Sequence, residues 1–191
     1  MTDAGLLIAA GAGRRMGRPK ALVHDERGSW LVRAARTLGE CDTVTVVLGA
    51  GADEAIPLLA SCDVDVVIAT DWAGGMGESL TAGMRHLLQG TATRAVLHLV
   101  DLPDVGAAVV SRVRSEPAGP EALARATYAG RPGHPVLIGR DHWAAVLAGC
   151  VGDRGARDYL ADHDVVAVEC GDLATGRDVD RPPNPGPTGR A

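Results

Sequence analysis

Apolar positions fall in short blocks along most of this chain, and a helical pattern follows each block. Leu6 to Ala10, Val44 to Leu48, Val64 to Ala69 and Ala95 to Val100 are runs dominated by Val, Ile, Leu and Ala. Runs of this kind suit strands covered on both faces, as parallel strands are. Between and after them, Ser29 to Leu38, Ala52 to Ala60, Glu78 to Leu88 and Val105 to Val113 read as helices, with Pro57 weakening the interior of the second. This alternation predicts an α/β fold: a doubly wound, mostly parallel sheet with helices on both faces.

The pattern loosens after Ser115. Ala122 to Tyr128 and Pro135 to Ile138 read as strands joined through Gly130-Arg131-Pro132-Gly133. Helices around His142 to Leu147 and Gly155 to Leu160 follow, then a last strand from Val165 to Val168. At 191 residues the chain predicts a single domain over 1–181. Residues 182–191, rich in Pro and Gly, cannot build a core and are expected to form a disordered tail.

Composition narrows the function. Twenty-four acidic against nineteen basic residues leave a net charge of −5, the wrong balance for coating nucleic acid or anionic lipid. Aromatics are 3% and Phe is absent, so base-stacking platforms are not expected. Met1-Thr2-Asp3-Ala4 has no basic n-region, Leu6 to Ala10 is too short for a signal peptide, and no stretch approaches a membrane span. Cys41, Cys62, Cys150 and Cys170 show no metal-binding spacing and read as reduced, mostly buried thiols, so a cytoplasmic protein is expected.

The first strand runs into Gly11-Ala12-Gly13-Arg14-Arg15-Met16-Gly17-Arg18-Pro19-Lys20. The third glycine is one residue late for a dinucleotide fingerprint, and Lys20 does not follow a glycine as a P-loop lysine does. Lys20 is nevertheless the only lysine among nineteen basic residues. Four cations among three glycines at the carboxyl end of a strand suit a polyanion such as a triphosphate. The fourth strand ends in Val100-Asp101-Leu102-Pro103-Asp104. A carboxylate at a buried strand tip points into the same crevice and can hold Mg²⁺. Asp104 is the better candidate for capping the following helix.

The stretch Ala9-Ala10-Gly11-x-Gly13-x-Arg15-Met16-Gly17-x-x-Lys20 resembles the signature of MobA-like nucleotidyltransferases, whose loop wraps the triphosphate of a bound NTP. The resemblance implies a nucleotide-diphospho-sugar-transferase-like, Rossmann-like fold. It implies nucleotide binding by Ala9, Ala10, Gly11, Gly13, Arg14, Arg15 and Lys20, with Arg15, Lys20 and Asp101 catalytic. It also implies Mg²⁺ on Asp101 and a second carboxylate from Asp178-Val179-Asp180, where Asp180 aligns best and Asp178 next. Asp71 to Gly83 resembles the family's W-x-x-G-M-x-x-S-L-x-x-G, making Ser79 either a nucleotide contact or a helix N-cap. Gly130 to Val136 and Gly152 to Arg157 resemble the G-x-x-G-H-P and G-D-x-G-A-R segments of the molybdopterin cytidylyltransferase branch. These imply acceptor binding by Gly133, His134 and Asp153.

The resemblance thus implies transfer of CMP from CTP to a phosphorylated acceptor, the molybdenum cofactor first among them, with a molybdenum hydroxylase receiving the product. Two alternatives stand beside it: an NAD(P)H-dependent oxidoreductase of a pigment-like substrate, and a non-catalytic carrier of the cofactor. The remaining histidines show no ligand spacing and read as structural or surface groups.

Overall fold

The computed structural model describes residues 1–116, 118–150, 152 and 154–181. The expected disordered tail, 182–191, lies outside the described residues. The first strand, β1 (Asp3–Ala9), is buried along its whole length. Its side chains divide by the two-residue period of a strand. Leu7 and Ala9 enter one core layer, while Ala4, Leu6 and Ile8 enter the other.

A small hairpin, β2 (His24–Asp25) with β3 (Gly28–Ser29), leads into α1 (Trp30–Thr37), whose N-cap is the Ser29 hydroxyl. Then come β4 (Thr43–Leu48), α2 (Ala52–Ala55), β5 (Asp65–Ile68), α3 (Met76–Leu87), β6 (Arg94–Leu99) and α4 (Ala107–Ser115). The last part contains β7 (Leu123–Tyr128), β8 (Arg131–Gly139), α5 (Arg140–Gly149), α6 (Arg157–Ala161) and β9 (Val166–Glu169). Among the described residues no helix is long and apolar enough to cross a membrane.

Seven strands form one sheet in the order β5-β4-β1-β6-β8-β7-β9. Only β8 runs against its neighbours, pairing antiparallel with both β6 and β7. The chain leaves β1 for β4 on one side and later returns to β6 on the other. The crevice of an open α/β sheet lies beyond such a switch point, at the carboxyl ends of the strands. The helices α1 and α4 cover one face, with Leu31, Val109 and Val110 almost fully buried. The other face is covered by α3 and α5, with Leu80, Met84 and Trp143. Contact is closest at Gly83 of α3, where a Cβ would stand 2.6 Å from Leu6 Cδ1 and 2.8 Å from Val47 Cγ2.

Two expectations about elements are corrected. The helix expected over Ala52 to Ala60 is four residues long and continues as a 3-10 turn over Ile56–Leu59. Pro57, which lacks an N–H, cannot continue the α-helical hydrogen bonding and is accommodated in the first turn of the 3-10 segment. Gly130 to Gly133 is not the loop between the last two central strands. The turn is Ala129-Gly130, both at positive φ (51° and 74°), and Arg131 to Gly133 already belong to β8.

Candidate functional site

After β1 the chain must leave the sheet and turn sharply back. Gly13 makes the turn at φ +58°, and its carbonyl accepts from Met16 N–H at 2.9 Å. A Cβ at Gly13 would lie 1.9 Å from the Arg18 carbonyl oxygen, so no larger residue fits there. The loop ends in a single 3-10 turn, Lys20–Leu22. That turn sends the Lys20 side chain back over the end of the sheet, where only 16% of it remains exposed.

The register puts Leu99 of β6 beside Ile8 of β1, so Asp101, two residues on, stands next to the start of the glycine loop. Lys20 Nζ donates to Asp101 Oδ2 at 2.8 Å and to Asp180 Oδ1 at 2.6 Å. Arg15 Nη1 donates to Asp180 Oδ2 at 2.7 Å. Asp180 is brought in by the last described segment, which crosses the strand ends after β9. There Val179 N–H donates to the Asp101 carbonyl at 2.9 Å. The Thr175 N–H and hydroxyl both donate to Asp104 Oδ2, at 2.7 and 2.5 Å. Asp104 therefore does not cap α4, whose N-cap is Gly106; it holds a segment 71 residues away.

This cluster borders a cleft of about 310 Å³ lined by Ala9, Ala10, Gly11, Gly13, Arg14 and Arg15 on the loop side. Burial pushes the Lys20 ammonium toward losing its proton, but the Asp101 and Asp180 carboxylates outweigh burial and its pKa is raised. Lys20 first and Arg15 second hold the Asp180 carboxyl below its ordinary value. Asp101 Oδ1 is buried and has no hydrogen-bond partner among the described residues. A buried carboxylate oxygen without a donor is costly unless a cation or donor completes it.

Among the described residues no group of three or more His, Cys, Asp or Glu could hold a metal ion. Two carboxylates bridged by one ammonium still fit Mg²⁺, which commonly takes one or two carboxylates and fills the rest with water and substrate phosphate. Asp101 and Asp180 are those two; Asp178 is exposed and forms no part of the cluster.

A second chamber of about 290 Å³ adjoins the first and shares Ile8, Met76 and Leu99 with it. Because β8 is antiparallel, its first residues lie at the carboxyl ends of the parallel strands. Gly133 and His134 therefore line this chamber, with Arg125, Ala156 and Arg157. Burial first, and then nearby Arg125, push the His134 pKa down to about 4, so the imidazole is neutral at physiological pH. Tyr128 Oη donates to the His134 carbonyl at 2.7 Å and steadies the strand there.

Residues 5–167 match the MobA-like NTP transferase domain. The chain belongs to this family. The nicotine blue oxidoreductase of Paenarthrobacter nicotinovorans is 37% identical over 190 residues, covering 92% of this chain and 91% of that protein. The molybdenum cofactor guanylyltransferase of Rhodobacter capsulatus is 33% identical over 153 residues, covering 77% of this chain and 68% of that protein. Rv0371c from Mycobacterium tuberculosis H37Rv has a crystal structure similar to this one with a TM-score of 0.75. It is 26% identical, with 95% of this chain and 94% of that chain covered.

In this MobA-like chain the sequence motifs converge on two adjoining chambers, with two exceptions. Ser79 is 4% exposed and lines neither chamber. It is the fourth residue of α3, whose N-cap is Gly75, so it is neither cap nor cleft residue. The helix starts two residues earlier than its apolar pattern announces. Asp153 lies outside the described residues. Sequence reasoning missed Asp104 and Thr175 as the clamp on the Asp180 segment, and Arg125 as a wall of the second chamber. Nothing in local sequence marks Arg125, which sits in an ordinary alternating strand.

Proposed function

We propose that this chain transfers a nucleotidyl group from an NTP to a phosphorylated acceptor, releasing pyrophosphate, with residues 1–181 acting as one domain. One observation carries the reading: Lys20, Arg15, Asp101 and Asp180, scattered over 165 positions, meet at the mouth of one glycine-lined cleft. In the reaction an acceptor phosphate oxygen bonds to the α-phosphorus and the α–β bridging P–O bond breaks. The attacking oxygen is already anionic, so no protein nucleophile is needed. The protein aligns the reactants and neutralises charge. Arg14, Arg15 and Lys20 hold the phosphates that leave. Asp101 and Asp180 would hold Mg²⁺, which supplies positive charge to the reacting phosphate oxygens. Lys20 pairs with both carboxylates, and Arg15 with Asp180, when no substrate is present.

CTP is the proposed donor, because Ala10-Gly11 stands where guanylyl-transferring relatives tend to carry two glycines and the Gly-His-Pro segment accompanies the cytidylyl form. The molybdenum cofactor is the proposed acceptor and a molybdenum hydroxylase the proposed recipient. The guanylyltransferase relationship supports the acceptor class. Pyrophosphate release measured with each of the four NTPs and the molybdenum cofactor tests both parts. CTP-dependent release is expected; release with GTP alone overturns the donor assignment, and no release with any NTP overturns transfer.

A second reading has one observation behind it: the relative named nicotine blue oxidoreductase aligns over nearly the whole chain. On that reading the second chamber takes a pigment-like substrate and a reduced nicotinamide supplies hydride. Consumption of NADH or NADPH without NTP would favour it. The missing G-x-G-x-x-G turn argues against it.

A further inference from the structure

Among the described residues, the inward-reaching arginines elsewhere are satisfied by acidic partners or, for Arg140, by the carbonyls of Leu88, Gly90 and Ala92. Arg94 and Arg114 share Asp3, and Arg33 pairs with Asp25. Arg125 is the exception among them. It lies half-buried on β7, its Nε is buried without a hydrogen-bond partner, and it forms no ion pair with any described residue. Arg157, the first residue of α6, lines the same chamber and forms no ion pair with any described residue. Among the described residues no acidic side chain lines the chamber. Burial, and then the like charge of Arg157, lower the hold of the Arg125 guanidinium on its proton. His134, the third basic group, stands there neutral.

A half-buried guanidinium without a counter-charge is costly, and a second one beside it adds repulsion. An anion from outside removes both costs. Guanidinium forks match phosphate and carboxylate oxygens in geometry as well as charge.

We propose that the second chamber binds an acceptor through a second anionic group, a phosphate monoester or a carboxylate remote from the reacting oxygen, gripped by Arg125 and Arg157. Leu80, Leu97, Leu99 and Val136 cover an apolar midsection of that molecule. The proposal rests on the transfer reading and adds a substrate class to it: an elongated acceptor, anionic at both ends. The sheet register sets the length. Arg125 pairs with Val136 and Val136 with Leu97, and Asp101 lies four residues beyond Leu97. Two strand spacings and four residues put the Cα atoms of Arg125 and Asp101 about 16 Å apart, and side-chain reach leaves roughly 10 Å between the anionic ends.

Equilibrium binding of 1-naphthyl phosphate, 1-naphthoate and 1-naphthol to the full chain tests this, with Arg125→Gln, Arg157→Gln and Arg125→Lys alongside. On the unmodified protein the better of the two anions should bind about ten-fold more tightly than naphthol, as charge-assisted hydrogen bonds imply. Which anion binds better names the group. The advantage should vanish in both Gln variants and partly persist in Arg125→Lys. Equal binding of naphthol, or an anion advantage that survives both Gln variants, overturns the proposal. So does a weakened affinity for NTP in those variants, because the chamber would then house the donor's base. Arg157 is exposed, so Arg157→Gln decides the matter if Arg125→Gln does not fold. NTP affinity of the unmodified protein is read separately: its absence sinks the transfer reading, whereas the naphthyl series judges the second chamber.

Discussion

Asp104 Oδ2 accepts both the backbone N–H and the hydroxyl of Thr175, at 2.7 and 2.5 Å. This contact pins the start of the segment whose end presents Asp180 to Lys20 and Arg15. A residue outside the cleft thus sets the position of a carboxylate inside it.

Asp104→Ala should release the segment without unfolding the sheet. Hydrogen bonds to a charged group contribute about 1.5–3 kcal/mol, which here means a loss of roughly ten-fold or more in kcat/KM. Thr175→Val, which keeps the backbone N–H, should lose less, and Thr175→Ser should restore activity. Steady-state pyrophosphate release, with hydrogen exchange over residues 175–180, checks this. Full activity with a freely exchanging segment would refute the clamp.

Lys20→Ala and Asp101→Ala should each reduce turnover on the order of 10²- to 10³-fold, the usual cost of removing a preorganised charge at the reacting phosphates. Far-UV circular dichroism should stay unchanged, since neither residue belongs to the core layers. Near-normal kcat at saturating NTP in either variant would remove that residue from the mechanism.

Gly13→Ala should abolish tight NTP binding. A left-handed φ costs an alanine about 1–2 kcal/mol, and the 1.9 Å approach to the Arg18 carbonyl forces the loop to reopen. Isothermal titration with NTP reads the loss. Gly17→Ala is a milder control, because its Cβ would meet nothing within 4 Å although its φ is also positive.

Stability should fall on acidification well above the range where most carboxylates titrate. His98 is fully buried on β6, with neither ring nitrogen bonded. Burial, and secondarily His134, push its pKa down to about 3, against about 6.5 when unfolded. Between those values the unfolded chain binds the extra proton, so stability present above pH 6.5 is lost as pH falls. The slope is about 1.4 kcal/mol per pH unit for His98, and His134 adds a similar slope down to about pH 4. Urea unfolding at intervals from pH 7 to 4.5 measures it. His98→Leu should roughly halve the slope; an unchanged slope would show that other groups carry it.

Much of this architecture was legible in the linear pattern. The buried strands and main helices follow from apolar runs whose residues have no other way to leave water. The glycine loop and Asp101 were legible because a strand end in an open α/β sheet is where chemistry collects. Leu6 to Ala10 running into Gly11 and Lys20 carries both signals at once. The four-residue α2 was harder to read, because Pro57 permits a 3-10 continuation that periodicity alone does not distinguish.

The sequence by itself determined the strand-helix alternation, the cationic turn and the family. Only the tertiary structure decided that Asp180 rather than Asp178 faces Lys20, that Asp104 clamps Thr175 instead of capping α4, and that Ser79 is buried away from the cleft. The physical reason is range. Hydrophobic period and turn chemistry act between near neighbours in the chain. A 2.6 Å contact between Lys20 and Asp180, 160 residues apart, exists only once the sheet order has brought their elements together.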